Sequence, residues 1–325
     1  MRTTNSIGSK RIWVISLSAP WRRFRLVVDH LLRKSQPNTL PMTFLAHNDD
    51  SDSQKRQAPR ELSGRCREIQ QVRIGEATVH SVRQSECVDH VMVALDHGLG
   101  GWIATANLDH LLRLRRSEDF RRAYEGASMV VADGMPLIWA SRLQGTPLPE
   151  RVAGSDLIYS LTAAAARDGR SVFFLGGNPG SAEAAAAKLC ELSPGLQVRG
   201  TCCPPMGFDQ QPALVEELSA MLAESGADIV FVALGSPKQE LLIERIRSVL
   251  PNAWWIGVGI SFSFVAEEVV RAPRWMQRLG VEWVHRLAQE PGRLWNRYLV
   301  QGLPYAGRLM AQSMWRRFTP RAPKS

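Results

Sequence analysis

Asp133 sits where Met129-Val130-Val131-Ala132 gives way to Gly134, a carboxylate at the end of an apolar run. Two chemistries suit it there: capping the helix that follows, or general-base work with a pKa raised by partial desolvation. Thr105 and Asn107 stand in the same relation to Trp102-Ile103-Ala104, and either cap a helix starting at Leu108 or hydrogen-bond a ligand. Lys238 and Gln239 follow Gly235-Ser236-Pro237 and suit a sugar or phosphate as well as a helix start. Gly176-Gly177-Asn178-Pro179-Gly180 precedes an Ala-rich helical stretch. Those glycines serve a tight turn, or let backbone N–H groups and a helix dipole approach a diphosphate. Asp50-Ser51-Asp52 has the Asp-x-Asp form of divalent-cation sites, but it lies in a charged polar run with no strand before it. No metal site is assigned, and chemistry without a cofactor is expected, with a divalent cation left open.

These residues need a scaffold that brings them together. Trp102 to Asn107 and Met129 to Gly134 read as two short apolar strands, and Leu108 to Tyr124 between them has helical periodicity, which makes one βαβ unit. The alternation continues with strands at Val172–Leu175, Leu196–Gly200, Ile229–Leu234 and Trp254–Val258. Helices are expected at 82–95, 136–143, 157–167, 182–192, 212–225 and 240–250. Strands and helices at this spacing predict an α/β fold, a doubly wound, Rossmann-like, mainly parallel sheet with helices on both faces. The ends at Thr105/Asn107, Asp133, Gly176–Gly180, Gly235–Gln239 and Gly257–Gly259 then share one edge, where open α/β sheets bind ligands.

Three segments are expected: an N-terminal extension over 1–66, a core over 67–270 and a basic, Trp-rich helical appendage over 271–325. Asn48 to Gln57 cannot bury enough surface to order itself, and Met42 is a second candidate start. Ile12 to Ala19 is too short to span a bilayer, and nothing after it resembles a stop-transfer segment. Residues 271–325 hold 11 Lys and Arg against two Glu, so the whole excess of +9 lies there while the other 270 residues balance at 29 against 29. Trp275, Trp283, Trp295 and Trp315 are interleaved with those arginines, a composition suited to an anionic membrane surface. The same interleaving, and the lack of a nucleic-acid module, set aside a nucleic-acid partner. Cys66, Cys87, Cys190, Cys202 and Cys203 show no CxxC spacing and read as thiols of a reducing compartment.

Several strings carry more than pattern. Thr105-Ala106-Asn107, Ala132-Asp133-Gly134-Met135-Pro136, Arg151-Val152-Ala153-Gly154-Ser155-Asp156, Pro204-Pro205-Met206-Gly207-Phe208, Gly235-Ser236-Pro237-Lys238-Gln239-Glu240, Arg271-Ala272-Pro273-Arg274-Trp275 and Glu282-Trp283 run in order through residues 68–300. In this the chain resembles the WecG/TagA/CpsF glycosyltransferases. The resemblance implies an inverting transfer from a UDP-sugar to a polyprenyl-diphosphate-linked sugar, in cell-surface polysaccharide or exopolysaccharide synthesis. The enzyme would be cytoplasmic and peripheral at the inner face of the plasma membrane, and able to self-associate. By motif, Asp133 matches the proposed base, Thr105, Asn107, Arg151 and Gln239 match polar pocket residues, and Arg286 and Arg293 match appendage arginines that close over the diphosphate. Gly176 and Gly177 are placed with the substrate-binding residues.

One carboxylate suffices for inversion, and arginines can stabilise the departing diphosphate where no metal does. As one continuous helix, Arg286, Arg293 and Arg297 would share a face, unless Pro291 breaks it. Ser263 stands where many relatives have an acid, Glu267 where they have glycine, and Asn296 where they have arginine. A nucleotide-dependent oxidoreductase is the competing reading of such a sheet, but no G-x-G-x-x-G follows the first strand.

Overall fold

A computed structural model describes residues 69–319. The extension over 1–66, with Met42, Asp50 and Asp52, lies outside them. The described chain starts with an antiparallel hairpin, β1 (Gln71–Ile74) and β2 (Ala77–His80), whose alternate side chains are buried. His80 Nδ1 accepts the Val130 N–H at 3.0 Å, which ties the hairpin to the sheet.

After α1 (Gln84–Asp96) come β3 (Gly101–Ala106), α2 (Leu108–Arg116), α3 (Glu118–Glu125) and β4 (Met129–Ala132). The helix expected over 108–124 is therefore two. Ser117 is extended, and its hydroxyl accepts the Phe120 N–H, so it caps a second helix instead of continuing the first. Next are α4 (Met135–Leu143), α5 (Gly154–Arg167), β5 (Ser171–Gly176), α6 (Ser181–Leu192), β6 (Gln197–Cys202) and α7 (Pro212–Ser225). The core closes with β7 (Ile229–Ala233), α8 (Lys238–Ile246), β8 (Trp254–Gly257) and α9 (Ser261–Val265). The helix expected over 240–250 thus starts two residues early and ends at Ile246, with 247–249 tightening into a 3₁₀ turn.

Six strands form one parallel sheet in the order β4-β3-β8-β7-β5-β6. All but β6 are buried along their whole length, as strands covered on both faces must be, and this is why they read as unbroken apolar runs. One face packs Trp102, Trp255, Phe173 and Leu175 against α2, α3, α4, α7 and α8. The other packs Ile103, Trp254, Phe174 and Phe231 against α1, α5, α6 and α9. The helices after β3 and β8 leave to opposite faces, so the crevice of the doubly wound sheet opens between these neighbours.

Trp255, on the central strand, is 1 % exposed, and its indole N–H has no hydrogen-bond partner. Trp255→Ala should destabilise by about 3–5 kcal/mol in urea unfolding. Trp255→Phe, which gives up no hydrogen bond, should cost clearly less; equal losses would contradict a purely apolar role.

The C-terminal part comprises α10 (Arg274–Leu279), α11 (Glu282–Gln289), α12 (Pro291–Trp295), a π-helical stretch (Asn296–Gly302) and α13 (Leu303–Phe318). The single helix that would align Arg286, Arg293 and Arg297 does not form. Glu290 has φ −132° and ψ 61°, and Pro291 starts a new helix where its missing N–H is harmless. Tyr305 and Leu309 on α13 join the core beneath the hairpin, and the Tyr305 hydroxyl donates to Glu76. Among the described residues no helix is long and apolar enough to cross a membrane.

Candidate active site at the carboxyl edge of the sheet

The Asp133 backbone N–H donates to the Ala106 carbonyl at 2.8 Å, which extends the β3–β4 pairing by one residue and fixes the carboxylate at the strand end. Gly134 occupies the N-cap of α4 with no side-chain cap, so Asp133 does not cap the helix that follows it; its carboxylate instead accepts the N–H of Gly154, the first residue of α5. Its side chain is 25 % exposed, and Oδ1 lies 3.5 Å from Arg151 Nη1. Arg151 Nη2 is 3.3 Å from Asp156 Oδ2, and Arg151 Nη1 is 3.6 Å from Glu282 Oε2. Arg271 completes the group, with Nη1 2.6 Å from Asp156 Oδ1 and Nε 3.6 Å from Glu282 Oε1. Three carboxylates thus face two guanidiniums. Burial, more than any neighbour, pushes the Asp133 carboxyl up to about 7; Arg151 opposes the rise, while Glu282 and Asp156 add to it. A carboxylate that titrates near neutrality can take a proton in the transition state and give it up again.

Across the crevice the buried Thr105 hydroxyl donates to the Gly257 carbonyl at 3.4 Å, joining β3 to β8. Asn107 Oδ1 accepts the His110 N–H at 3.1 Å, so this residue does cap α2, and its amide N–H groups are what it retains for a ligand. Gln239 is buried: Oε1 accepts the Gly259 N–H at 3.1 Å and Nε2 donates to Glu240 at 2.8 Å, which locks the loops after β7 and β8 together. A Cβ at Gly257 would lie 2.6 Å from Gln239 Nε2. Gly257→Ala should therefore lower activity at least tenfold with a smaller loss of stability, because side-chain displacement at the site costs catalysis first. Unchanged activity with Gln239 still in place would contradict this.

At the glycine turn, Gly176 and Gly177 have φ of 97° and 84°. A Cβ on Gly176 would lie 2.6 Å from the Ala233 carbonyl oxygen, and the Gly177 N–H already donates to that carbonyl at 2.7 Å. The turn needs glycine for steric reasons, and the Gly177 N–H is engaged within the sheet. Arg297 pairs with Asp109 at 2.8 Å on the first turn of α2. Arg286 is half-buried with no ion-pair partner among the described residues, and the side chain of Arg293 is outside those described. Glu267 keeps a left-handed φ of 60°.

Asp156, Arg271 and Glu282 escaped the sequence reading as site residues, although each lies inside a quoted motif. Nothing in the spacing says that positions 115 and 126 residues beyond Asp156 return to it. Beneath Gln239 the buried Glu240 faces His110 Nε2 at 3.7 Å, and His110 Nδ1 meets the Tyr124 hydroxyl at 3.2 Å, a polar network enclosed between α2, α3 and α8. Among the described residues no group of three or more His, Cys, Asp or Glu is arranged to hold a metal ion. Burial pushes the Cys202 thiol up to about 12, which suits an inert core thiol better than a redox pair with Cys203.

A doubly wound sheet with a desolvated carboxylate on the strand end next to its switch point defines an α/β enzyme whose chemistry runs at the strand ends. The glycosyl transferase WecG/TagA/CpsF family matches residues 72–319, and the chain belongs to that family. It is a glycosyltransferase. Over 205 residues it is 31 % identical to an N-acetylglucosaminyldiphosphoundecaprenol N-acetyl-beta-D-mannosaminyltransferase of Bacillus subtilis (strain 168), spanning 63 % of this chain and 77 % of the relative. A protein of the same name from Bacillus spizizenii (strain ATCC 23059 / NRRL B-14472 / W23) is 32 % identical with the same coverage.

Proposed function

We propose that this glycosyltransferase moves a sugar from a UDP-sugar onto a hydroxyl of a polyprenyl-diphosphate-linked sugar, with inversion at the anomeric carbon. The observation that carries the reading is Asp133, desolvated at the strand end and titrating near 7. The acceptor class comes from the relatives, whose names specify an N-acetylglucosaminyl-diphosphoundecaprenol acceptor and a β-linked N-acetylmannosaminyl product. Asp133 takes the proton of the acceptor hydroxyl as its oxygen bonds to the anomeric carbon. The bond from that carbon to the UDP oxygen breaks, and its electron pair leaves with the diphosphate. Arg286 and Arg293 are the groups we assign to that developing charge. Thr105, Asn107, Gln239 and the Gly176-Gly177 turn shape the pocket, and Arg151 orients the base.

From a lipid-linked acceptor we infer that the reaction runs at the inner face of the plasma membrane. Supporting this are the exposed Trp275, Trp295, Trp315 and Phe318 on the C-terminal helices, set among arginines. The test is the product. With UDP-N-acetylmannosamine and a synthetic polyprenyl-diphospho-N-acetylglucosamine, NMR of the isolated product should show a β linkage. An α linkage, or no product from any UDP-sugar with that acceptor, would overturn the proposal.

A further inference from the structure

Glu282 enters the site from the C-terminal helices, and the turn that delivers it is sterically specified. Gly280, between α10 and α11, has φ of +73°, and a Cβ there would lie 2.6 Å from the Met135 side chain on α4. Only glycine lets this turn seat against the helix that follows Asp133. Once seated, Glu282 reaches both guanidiniums of the cluster, Oε2 at 3.6 Å from Arg151 Nη1 and Oε1 at 3.6 Å from Arg271 Nε. Arg151 Nη1 is the same nitrogen that lies 3.5 Å from Asp133 Oδ1. A donor held at these distances between two carboxylates makes a full hydrogen bond with neither.

We propose that Glu282 is a positioning residue for the transfer: by sharing Arg151 Nη1 it stops the guanidinium from closing onto Asp133, and so leaves an Asp133 lone pair for the acceptor hydroxyl. This rests on the reading of Asp133 as the base. Because Glu282 belongs to the C-terminal segment, the base is set only while that segment is seated.

Charge counting supports the arrangement. Asp133 is faced by Arg151 from the segment leading into α5, by the Gly154 N–H and Asp156 in the first turn of α5, by Arg271 ahead of α10, by Glu282 on α11 and by the Tyr124 phenol on α3. Three carboxylates and two guanidiniums carry one net negative charge, which a single proton cancels. Asp156 is held by a 2.6 Å contact to Arg271 and Glu282 bridges both arginines, whereas Asp133 has a single ion pair, at 3.5 Å, beside a backbone N–H from Gly154; of the three it has the weakest guanidinium pairing and takes the proton. Removing the Glu282 charge leaves two carboxylates against two guanidiniums. Arg151 then pairs with Asp133 and weakens it as a base.

The experiment is the pH profile of kcat/KM for the lipid-linked acceptor, measured on the full chain and on Glu282→Gln, Glu282→Asp and Asp133→Asn. In the native protein activity rises with pH as Asp133 ionises. In Glu282→Gln that acid limb should move down by about one pH unit, and the plateau should fall several-fold because the base is weaker. Glu282→Asp, which keeps the charge and retracts it, should give a limb between the two, and it carries the test if Glu282→Gln does not fold. An acid limb in the Glu282 variants that coincides with the native one, whatever the rate, overturns the proposal and points to a merely structural role. Residual Asp133→Asn activity that keeps the native acid limb overturns the base reading, and this proposal with it.

Discussion

Asp133→Asn should lower the rate of sugar transfer about 100- to 10,000-fold, the range expected for loss of a general base. It should do so without unfolding the chain. The Asp133 carboxyl is raised from its ordinary 3.8 to about 7, chiefly by burial, so the folded state binds this proton more tightly than the unfolded state does. Its contribution to stability is therefore present at low pH and is lost as pH rises from about 4 through 7, and above that the ionised group weakens the fold by at most about 4 kcal/mol. The amide variant carries no such penalty. Its melting temperature relative to the native protein should rise between pH 5 and pH 8, and at pH 8 it should be at least as stable. A variant that is inactive and less stable at pH 8 would mean that the carboxylate is there to pair Arg151 and not to accept a proton.

Removing residues 271–325 should abolish binding to anionic vesicles and nearly all transfer. The truncated chain loses Arg271 and Glu282 from the cluster, Arg286 and Arg293, and the exposed tryptophans together. The sheet, packed on both faces, should persist, though weakened. Leu309, 2 % exposed in the core beneath the hairpin, is worth about 2–5 kcal/mol by the cost of a buried leucine truncation. Vesicle co-sedimentation, circular dichroism and transfer assays read the three effects separately. Full transfer to a lipid-linked acceptor by the truncated chain would refute the role given to this segment.

Much of the fold was legible because its strands are short apolar runs bounded by turn residues, the signature of strands buried on both faces. Strand type and polarity followed from the alternation, and the shared edge from polarity. The strand order did not, because nothing local says that β8, last in the chain, lies between β3 and β7. Ser117 and Pro291 are residues that start helices, yet each stood inside a helical period, and local capping won over periodicity at both. Within the site, Asp133 was legible as a carboxylate at a strand end; whether it capped the helix directly after it depended on which backbone N–H groups it met, and the one it meets is Gly154, far along the chain. Asn107 carried the same ambiguity and resolved the other way. Asp156, Arg271 and Glu282 were out of reach because an ion-pair cluster is a property of three-dimensional return, not of spacing. Glu267 shows a departure absorbed without a change of path: the backbone keeps the left-handed turn, at about 1–2 kcal/mol for a residue with a Cβ.

We propose that this chain transfers a sugar from UDP to a lipid-diphosphate-linked acceptor with Asp133 as the base. UDP release from a panel of UDP-sugars, with and without a polyprenyl-diphosphate-linked sugar, on native protein and Asp133→Asn, tests it most directly. Release is expected from one donor, dependent on the acceptor, and lost in the variant while the variant still unfolds cooperatively. Release that ignores the acceptor, or that survives in Asp133→Asn at the native rate, would contradict it.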